Sequence, residues 1–189
     1  RLQAVDVTPP TVSVRINGGA QLATSTTVQL EVYASDDQPG DLEMAIRDDL
    51  TGFTSWTPYS AYTSWRFSSE GRRTVTVKVR DAAGNEAQAS ASITVDASGP
   101  VISRLQVGDI TPNSATVTWT TNEASDTWVM YGTTALTSVA GTYESVLNHR
   151  VTLQNLSPNT TYYYKVRSQD AAGNVSESAT LVFRTEQIA

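Results

Sequence analysis

The pentapeptide Asp-Ala-Ala-Gly-Asn occurs twice, at 81–85 and at 170–174. Each copy follows an alternating run of β-branched or aromatic residues, Thr74 to Arg80 in one case and Tyr162 to Arg167 in the other, and each precedes a second alternating run. A period of two interrupted by a glycine-containing turn is the signature of a β-hairpin. Two such hairpins, 89 residues apart in a chain of 189, imply two β-domains of similar size. A duplicated structural turn also points to a modular scaffold and away from an enzyme. Inside the turn, Asp81 or Asp170 can accept a hydrogen bond from backbone two residues on. Gly84 or Gly173 supplies the positive φ of a type I turn with a G1 bulge. The closing Asn85 and Asn174 have no part in that scheme.

The rest of the chain keeps the same rhythm. Thr11 to Ile16 alternate and stop at Asn17-Gly18-Gly19, and Val28, Leu30, Val32 and Ala34 share one face of the next run. Asp36 to Gly40 break that strand, Leu42, Met44 and Ile46 begin a third, and Gly52 to Phe67 are aromatic-rich around Pro58. Val75, Val77 and Val79 form an inner face, and Ile93 and Val95 end the first half. The second half repeats the plan: Pro100 to Leu105, then Ala115, Val117 and Trp119, then a separate strand at Trp128 to Tyr131 ending at Gly132. Val151 and Leu153, then Tyr162, Tyr164 and Val166, then Leu181 and Phe183 complete it. No segment has helical periodicity with caps. The expected fold is all-β, two tandem immunoglobulin-like antiparallel β-sandwiches over 1–97 and 98–189. The joint Asp96-Ala97-Ser98-Gly99-Pro100 resembles the opening Asp6-Val7-Thr8-Pro9-Pro10. Residues 1–6 therefore read as the tail of a preceding module or as a strand exchanged with another copy, and the start at Arg1 as that of a mature form or an excised fragment.

Composition removes several function classes. The net charge is −6, spread over both halves as −4 for 1–97 and −2 for 98–189, so neither offers the basic face that nucleic acid requires. With no cysteine there is no disulfide, thiolate metal site or cysteine nucleophile, and any sandwich must stand on core packing. No apolar run reaches the roughly 20 residues of a membrane-spanning helix, so membrane insertion is not expected. Abundant Ser and Thr, β-structure and the absence of long charged runs suggest an extracellular or cell-surface protein.

Several motifs resemble known families. The second half resembles a fibronectin type III domain along its whole length, with Trp119 in the Ser-Ala-Thr-Val-Thr-Trp strand and Leu156-Ser157-Pro158-Asn159-Thr160-Thr161-Tyr162 before the next. The resemblance implies that Tyr162 forms a corner whose hydroxyl bonds to nearby backbone. His149-Arg150-Val151-Thr152-Leu153, with the same signature after it, is also similar to the N-terminal domain of purple acid phosphatases. The first half resembles bacterial Ig-like surface domains through its Pro-Pro opening, Ser35-Asp36-Asp37, the Trp56, Tyr59 and Trp65 stretch, and the final Val-Arg-Asp-Ala-Ala-Gly-Asn. Both families occur as non-catalytic modules in secreted enzymes, adhesins and surface fibres.

Each candidate site has a plainer alternative. Loops at one pole of a sandwich could bring Asp36, Asp37 and Asp41 near Asp81 as calcium ligands, but no spaced D-x-[DN]-x-[DN]-G loop is present and a plain turn explains Asp81 as well. In the second half, Glu123, Asp126 and Asp170 are the corresponding acids, beside Asp96. No cofactor other than calcium is expected. Trp56, Tyr59, Tyr62 and Trp65 could stack on sugar faces, or could pack structurally as similar aromatics do in the family. His149 stands alone without a second histidine or cysteine for zinc and without a G-x-S-x-G elbow, so a surface or corner position is expected. Asp36-Asp37 and Asp48-Asp49 read as solvated loop residues, since neighbours in a strand face opposite ways. Asn155, Asn159 and Asn174 fit short glycosylation patterns that arise readily by chance.

These readings lead to a structural module acting as stalk, spacer or fibre-forming subunit through end-to-end and sheet-edge contacts. Its partners would be neighbouring modules or copies of itself, and the chain would not be an enzyme. The other reading is an accessory binding module for polysaccharide or a surface ligand. Asp96, Gly99, Pro100 and Asp170 would form the interdomain joint, each repeated turn lying near the connector that precedes its domain.

Overall fold

A computed structural model describes residues 5–188. Of the segment 1–6 expected as a module tail or exchanged strand, residues 1–4 lie outside the described residues. The chain divides into two compact units, Arg1–Ala97 and Ser98–Ala189. Both are β-sandwiches, antiparallel apart from the short parallel pairing of Leu22–Ala23 with the end of the Glu86–Val95 strand.

The first unit holds β1 (Thr11–Ile16), β2 (Leu22–Ala23), β3 (Thr27–Ser35), β4 (Glu43–Asp48), β5 (Thr57–Pro58), β6 (Tyr62–Arg66), β7 (Gly71–Arg80) and β8 (Glu86–Val95). They form a three-stranded sheet, β1-β3-β6, and a five-stranded sheet, β2-β8-β7-β4-β5. A single 3₁₀ turn at Asn17–Gly19 is the helical element among the described residues of this unit. Alternation places Val28, Leu30 and Val32 of β3 opposite Val75, Val77 and Val79 of β7, with Phe67 and Ile93 filling the gap between sheets. Each fully buried side chain of this kind contributes about 1.5–3 kcal/mol, so the core alone dictates the pairing register.

The second unit holds β9 (Ile102–Gly108), β10 (Ala115–Gly132), β11 (Ser138–Leu153), β12 (Thr161–Gln169), β13 (Val175–Glu177) and β14 (Leu181–Arg184). Here the separate strands expected at Ala115–Trp119 and Trp128–Tyr131 are one. β10 runs unbroken for 18 residues, with register shifts against β11 between Thr120 and Thr127. Its first part pairs with β9 and its second with β12, while β11 accompanies it throughout. The bulges let a single strand cross from one layer to the other, so all six strands belong to one folded sheet. Trp119, Tyr164, Val117, Val129, Val166 and Leu153 fill the core. The Tyr162 hydroxyl accepts a hydrogen bond from the Ser157 N–H at 3.0 Å, the corner implied by the resemblance.

Candidate functional site

The repeated turn has the same construction in both units. In the first, Gly84 N–H donates to the Asp81 carbonyl at 3.3 Å, and Gly84 has φ 93°. Asp81 Oδ1 accepts from the N–H groups of Ala83 and Asn85 at 2.8 and 2.9 Å. The Asn85 side chain then donates to Asp81 Oδ2 at 2.8 Å. This gives the final asparagine the role that the sequence left open: it closes the turn by occupying the second carboxylate oxygen. In the second unit Asn174 donates its N–H to Asp170 Oδ1 at 2.9 Å and its amide to Oδ2 at 3.0 Å, and Gly173 has φ 94°. Burial acts to raise the Asp81 pKa, but the Asn85 amide and the N–H groups of Asn85, Gly84 and Ala83 outweigh it and hold the carboxyl below its ordinary value. Both aspartates are therefore engaged in the turn's own hydrogen bonds.

At the pole of the first unit the Asn85 amide also donates to the Asp6 carbonyl at 3.3 Å, which fastens the turn to the connector of its own unit. Asp6, Asp36 and Asp37 bring carboxylate oxygens within 4.8 Å of one another. Asp36 Oδ1 accepts from Gln38 N–H at 2.9 Å, and its buried Oδ2 has no hydrogen-bond partner among the described residues. Asp81 lines the same small cleft, along with Gly40 and Ala82, but its oxygens are taken by the turn. Of the expected calcium ligands, Asp36 and Asp37 thus meet Asp6, and Asp81 stands apart chemically. Calcium takes about six to eight oxygens, and three carboxylates are part of such a shell.

The aromatic row of the first unit is dispersed. The Tyr59 hydroxyl donates to the Val32 carbonyl at 2.7 Å and accepts from Ala34 N–H at 3.3 Å, so this ring ties the segment after β5 to β3. Trp65 packs on the core, and its indole N–H donates to Asp48 Oδ2 at 3.3 Å. Tyr62 is exposed on the edge strand β6. Trp56 lies beside the opposite sheet, with the Arg80 guanidinium 4.3 Å from its ring centre, while Phe53 has Arg47 and Lys78 about 5 Å away. The four rings do not share a face, because Tyr59 and Trp65 turn inward where their polar atoms find partners.

Two further expectations are corrected. Asp48 is buried, not solvated. Burial acts to raise its pKa, but the Thr51 hydroxyl, the Leu50 N–H, the Trp65 indole and the Thr51 N–H together hold it below the usual value. His149 is likewise buried instead of lying at a surface or corner. It pairs directly with Trp119 across β10 and β11, and the two rings stack at 4.8 Å, 6° from parallel. Thr127 and Thr121 hydrogen-bond its Nδ1 and Nε2 at 2.7 and 2.9 Å. The alternation His149, Val151, Leu153 carried this signal, since all three must face the same way. Burial disfavours the imidazolium and lowers the pKa against the attraction of Asp126. Bonded at both nitrogens and stacked on tryptophan, the imidazole is a satisfied part of the buried interior.

The residues expected at the joint each have a place in their own unit. Asp96 donates its N–H to the Ala23 carbonyl at 2.9 Å, at the end of β8. Gly99 lies against Val175 and Ser176, where a Cβ would come within 2.7 Å of the Ser176 hydroxyl oxygen. Pro100 is buried, and Asp170 is held in its turn.

A further cleft lies outside the residues singled out from the sequence. On the outer face of the second unit, Trp128, Met130, Val139, Tyr143, Arg167 and Gln169 line an open cleft of about 310 Å³. Trp128 and Tyr143 meet at 4.8 Å with their planes 70° apart. Beneath them Asp126, 8% exposed, accepts from the Trp128 indole at 3.0 Å, from Arg167 at 3.4 Å and from the Gln169 N–H at 2.6 Å. Arg167 donates in turn to Gln169 Oε1 at 2.8 Å. The available signal was parity: Trp128 and Met130 fall opposite the inward Val129.

Residues 100–185 match the family model described as Purple acid Phosphatase, N-terminal domain. The chain is 30% identical to Chitinase A1 of Niallia circulans over 191 residues, which covers 94% of this chain and 26% of that protein. It is 28% identical to Exoglucanase B of Cellulomonas fimi over 186 residues, 94% of this chain and 17% of the relative. The chain thus spans about a quarter or less of the length of either relative. The solved structure of domains A168-A170 from titin is similar at a TM-score of 0.55 and 14% identity, covering 95% of this chain and 67% of the other. That likeness shows the fold alone.

Proposed function

We propose that this chain, a tandem of immunoglobulin-like and fibronectin type III-like β-sandwiches, is a non-catalytic module of an extracellular polysaccharide-processing protein, in which it acts as a spacer between functional domains. The observation that carries this reading is that one segment, nearly the whole of this chain, recurs in a chitinase and in an exoglucanase while making up only 26% and 17% of them. A portion common to proteins that act on different polymers supplies something other than the chemistry peculiar to either. Chitin and glucan polymers are too large to enter a cell, which supports an extracellular setting. No helix among the described residues is long and apolar enough to cross a membrane.

The physical basis of a spacer is resistance to unfolding with no labile parts. Strong valine-rich pairing and turns closed through buried aspartates suit that role, and they do so without disulfides. The purified chain is expected to release no sugar from chitin or glucan and to scatter light as a monomer. Turnover of either polymer would overturn the non-catalytic reading. Large species would replace the spacer with a fibre-forming subunit.

A further inference from the structure

The cleft on the second unit is assembled in a way that a plain spacer does not need. Tyr143 is 83% exposed, although large aromatic side chains favour burial or a partner. Gly141 stands opposite Trp128 in the β10–β11 ladder, so the position directly across from the indole carries no side chain, and Tyr143 of the same strand meets only its edge side. That glycine cannot easily change, because a Cβ there would run into the Thr127 carbonyl. The open position across from the indole is therefore built into the strand pairing.

The polar groups are fixed before any ligand arrives. Asp126 anchors the indole, the guanidinium and the backbone of Gln169 together, and the Gln169 amide also donates to the Gly173 carbonyl at 3.1 Å. Side chains held in this manner lose little freedom on binding. Arg167 keeps N–H groups beyond those used by Asp126 and Gln169, because a guanidinium carries five. Its charge is balanced by Asp126 at 3.4 Å, which suits an uncharged ligand better than a phosphate or a carboxylate.

We infer that this cleft is a binding site for an uncharged pyranose polysaccharide with flat, equatorially linked sugar rings. Two aromatic rings at 70° form a corner in which the C–H face of one sugar stacks on one ring while its edge meets the other. Met130 and Val139 extend the apolar wall along the chain direction, and Arg167 and Gln169 meet vicinal hydroxyls. Chitin and β-glucan share this chemistry. The choice of a polysaccharide rests on the proposed setting of the chain, whereas the position of the site rests on the geometry.

The test is calorimetric titration of the intact chain with chitohexaose and cellohexaose, together with depletion by insoluble chitin and by cellulose. Saturable binding to at least one probe is expected, weakened about tenfold or more in Tyr143→Ala. Thermal stability should stay unchanged in that variant, since the ring is exposed. Arg167→Met should weaken binding too, but it also frees Asp126, so Tyr143→Ala is the deciding variant. Polysaccharide binding that survives Tyr143→Ala would overturn the site and leave the polysaccharide setting standing. Failure to bind any of the four probes would overturn the site while the spacer reading, tested by turnover and light scattering, remains separate. A proline-rich peptide that binds where the sugars do not, and is lost in Tyr143→Ala, would overturn the sugar assignment.

Discussion

The two units close the same pentapeptide turn with matching hydrogen bonds, yet they bury different chemistry beneath it. In the first, two separate sheets clasp a layer of aliphatic side chains, and the buried polar residue at the end of β4, Asp48, sits at the rim. In the second, a single sheet folds over itself, and the bend encloses a polar chain of Thr121, Ser125, Thr127 and His149 next to Trp119. Trp119 donates to the fully buried Ser168 at 3.1 Å. The same turn can therefore cap two different interiors. Strands that cross between layers must carry bulges, and bulges leave backbone and side-chain polar groups inside that need one another as partners.

Four experiments sharpen or break this contrast, in descending order of effect. Trp119→Ala removes the largest fully buried side chain and strands Ser168 and His149, so it should cost about 3–5 kcal/mol. Hydrogen exchange read residue by residue should show the loss in β10 and β11, and equal loss in β7 and β8 would contradict it.

Next, Asp170→Ala opens the second turn and should cost about 1–3 kcal/mol, since the part-buried N–H of Asn174 and its amide lose this acceptor. Asp81→Ala should destabilise the first unit in the same direction. If Asn85→Ala or Asn174→Ala leaves denaturant midpoints untouched, the closing asparagine is decorative.

The third concerns pH. His149 is held neutral, with its folded pKa below the ordinary value of about 6.5, so the unfolded chain takes up a proton first. Its stabilising effect is complete above about 6.5 and is lost as pH falls from there through the folded value. Asp48 is also lowered, but from 3.8, so the support it gives the first unit persists until pH falls below that value and is lost through the still lower folded pKa. Acid titration followed by NMR should thus loosen β10 and β11 at milder pH than β4. A single transition near pH 4 in both would refute the difference in interiors.

Smallest of all, Tyr62→Ser on the exposed edge of β6 should change stability by no more than about 0.5 kcal/mol. A larger loss would mean that this ring, like Tyr59 and Trp65, serves the core.

Much of this architecture was legible in the residues. Alternation at Val75, Val77 and Val79 and at Tyr162, Tyr164 and Val166 states which side chains face inward, because the strand period is two wherever the strand lies. Gly84 and Gly173 mark the turns for a comparable reason: a backbone at φ 93° and 94° favours a residue without a Cβ. The site was far less legible. Trp56, Tyr59, Tyr62 and Trp65 attract notice by spacing alone, yet their rings part company. Trp128 and Tyr143 lie 15 positions apart and meet through the pairing of β10 with β11.

The repeated turn, the inward-facing alternation and the two-module plan follow from short stretches, and the sequence by itself determined them. The joining of two expected strands into β10 did not follow from such stretches. Which polar groups go inside, and which aromatics stay out, only the tertiary structure decided. The Trp65 indole reaches Asp48 across 17 residues, and Gln169 reaches Asp126 across 43. A buried carboxylate or imidazole is tolerable only when such distant partners arrive together, and local patterning carries no record of who they are.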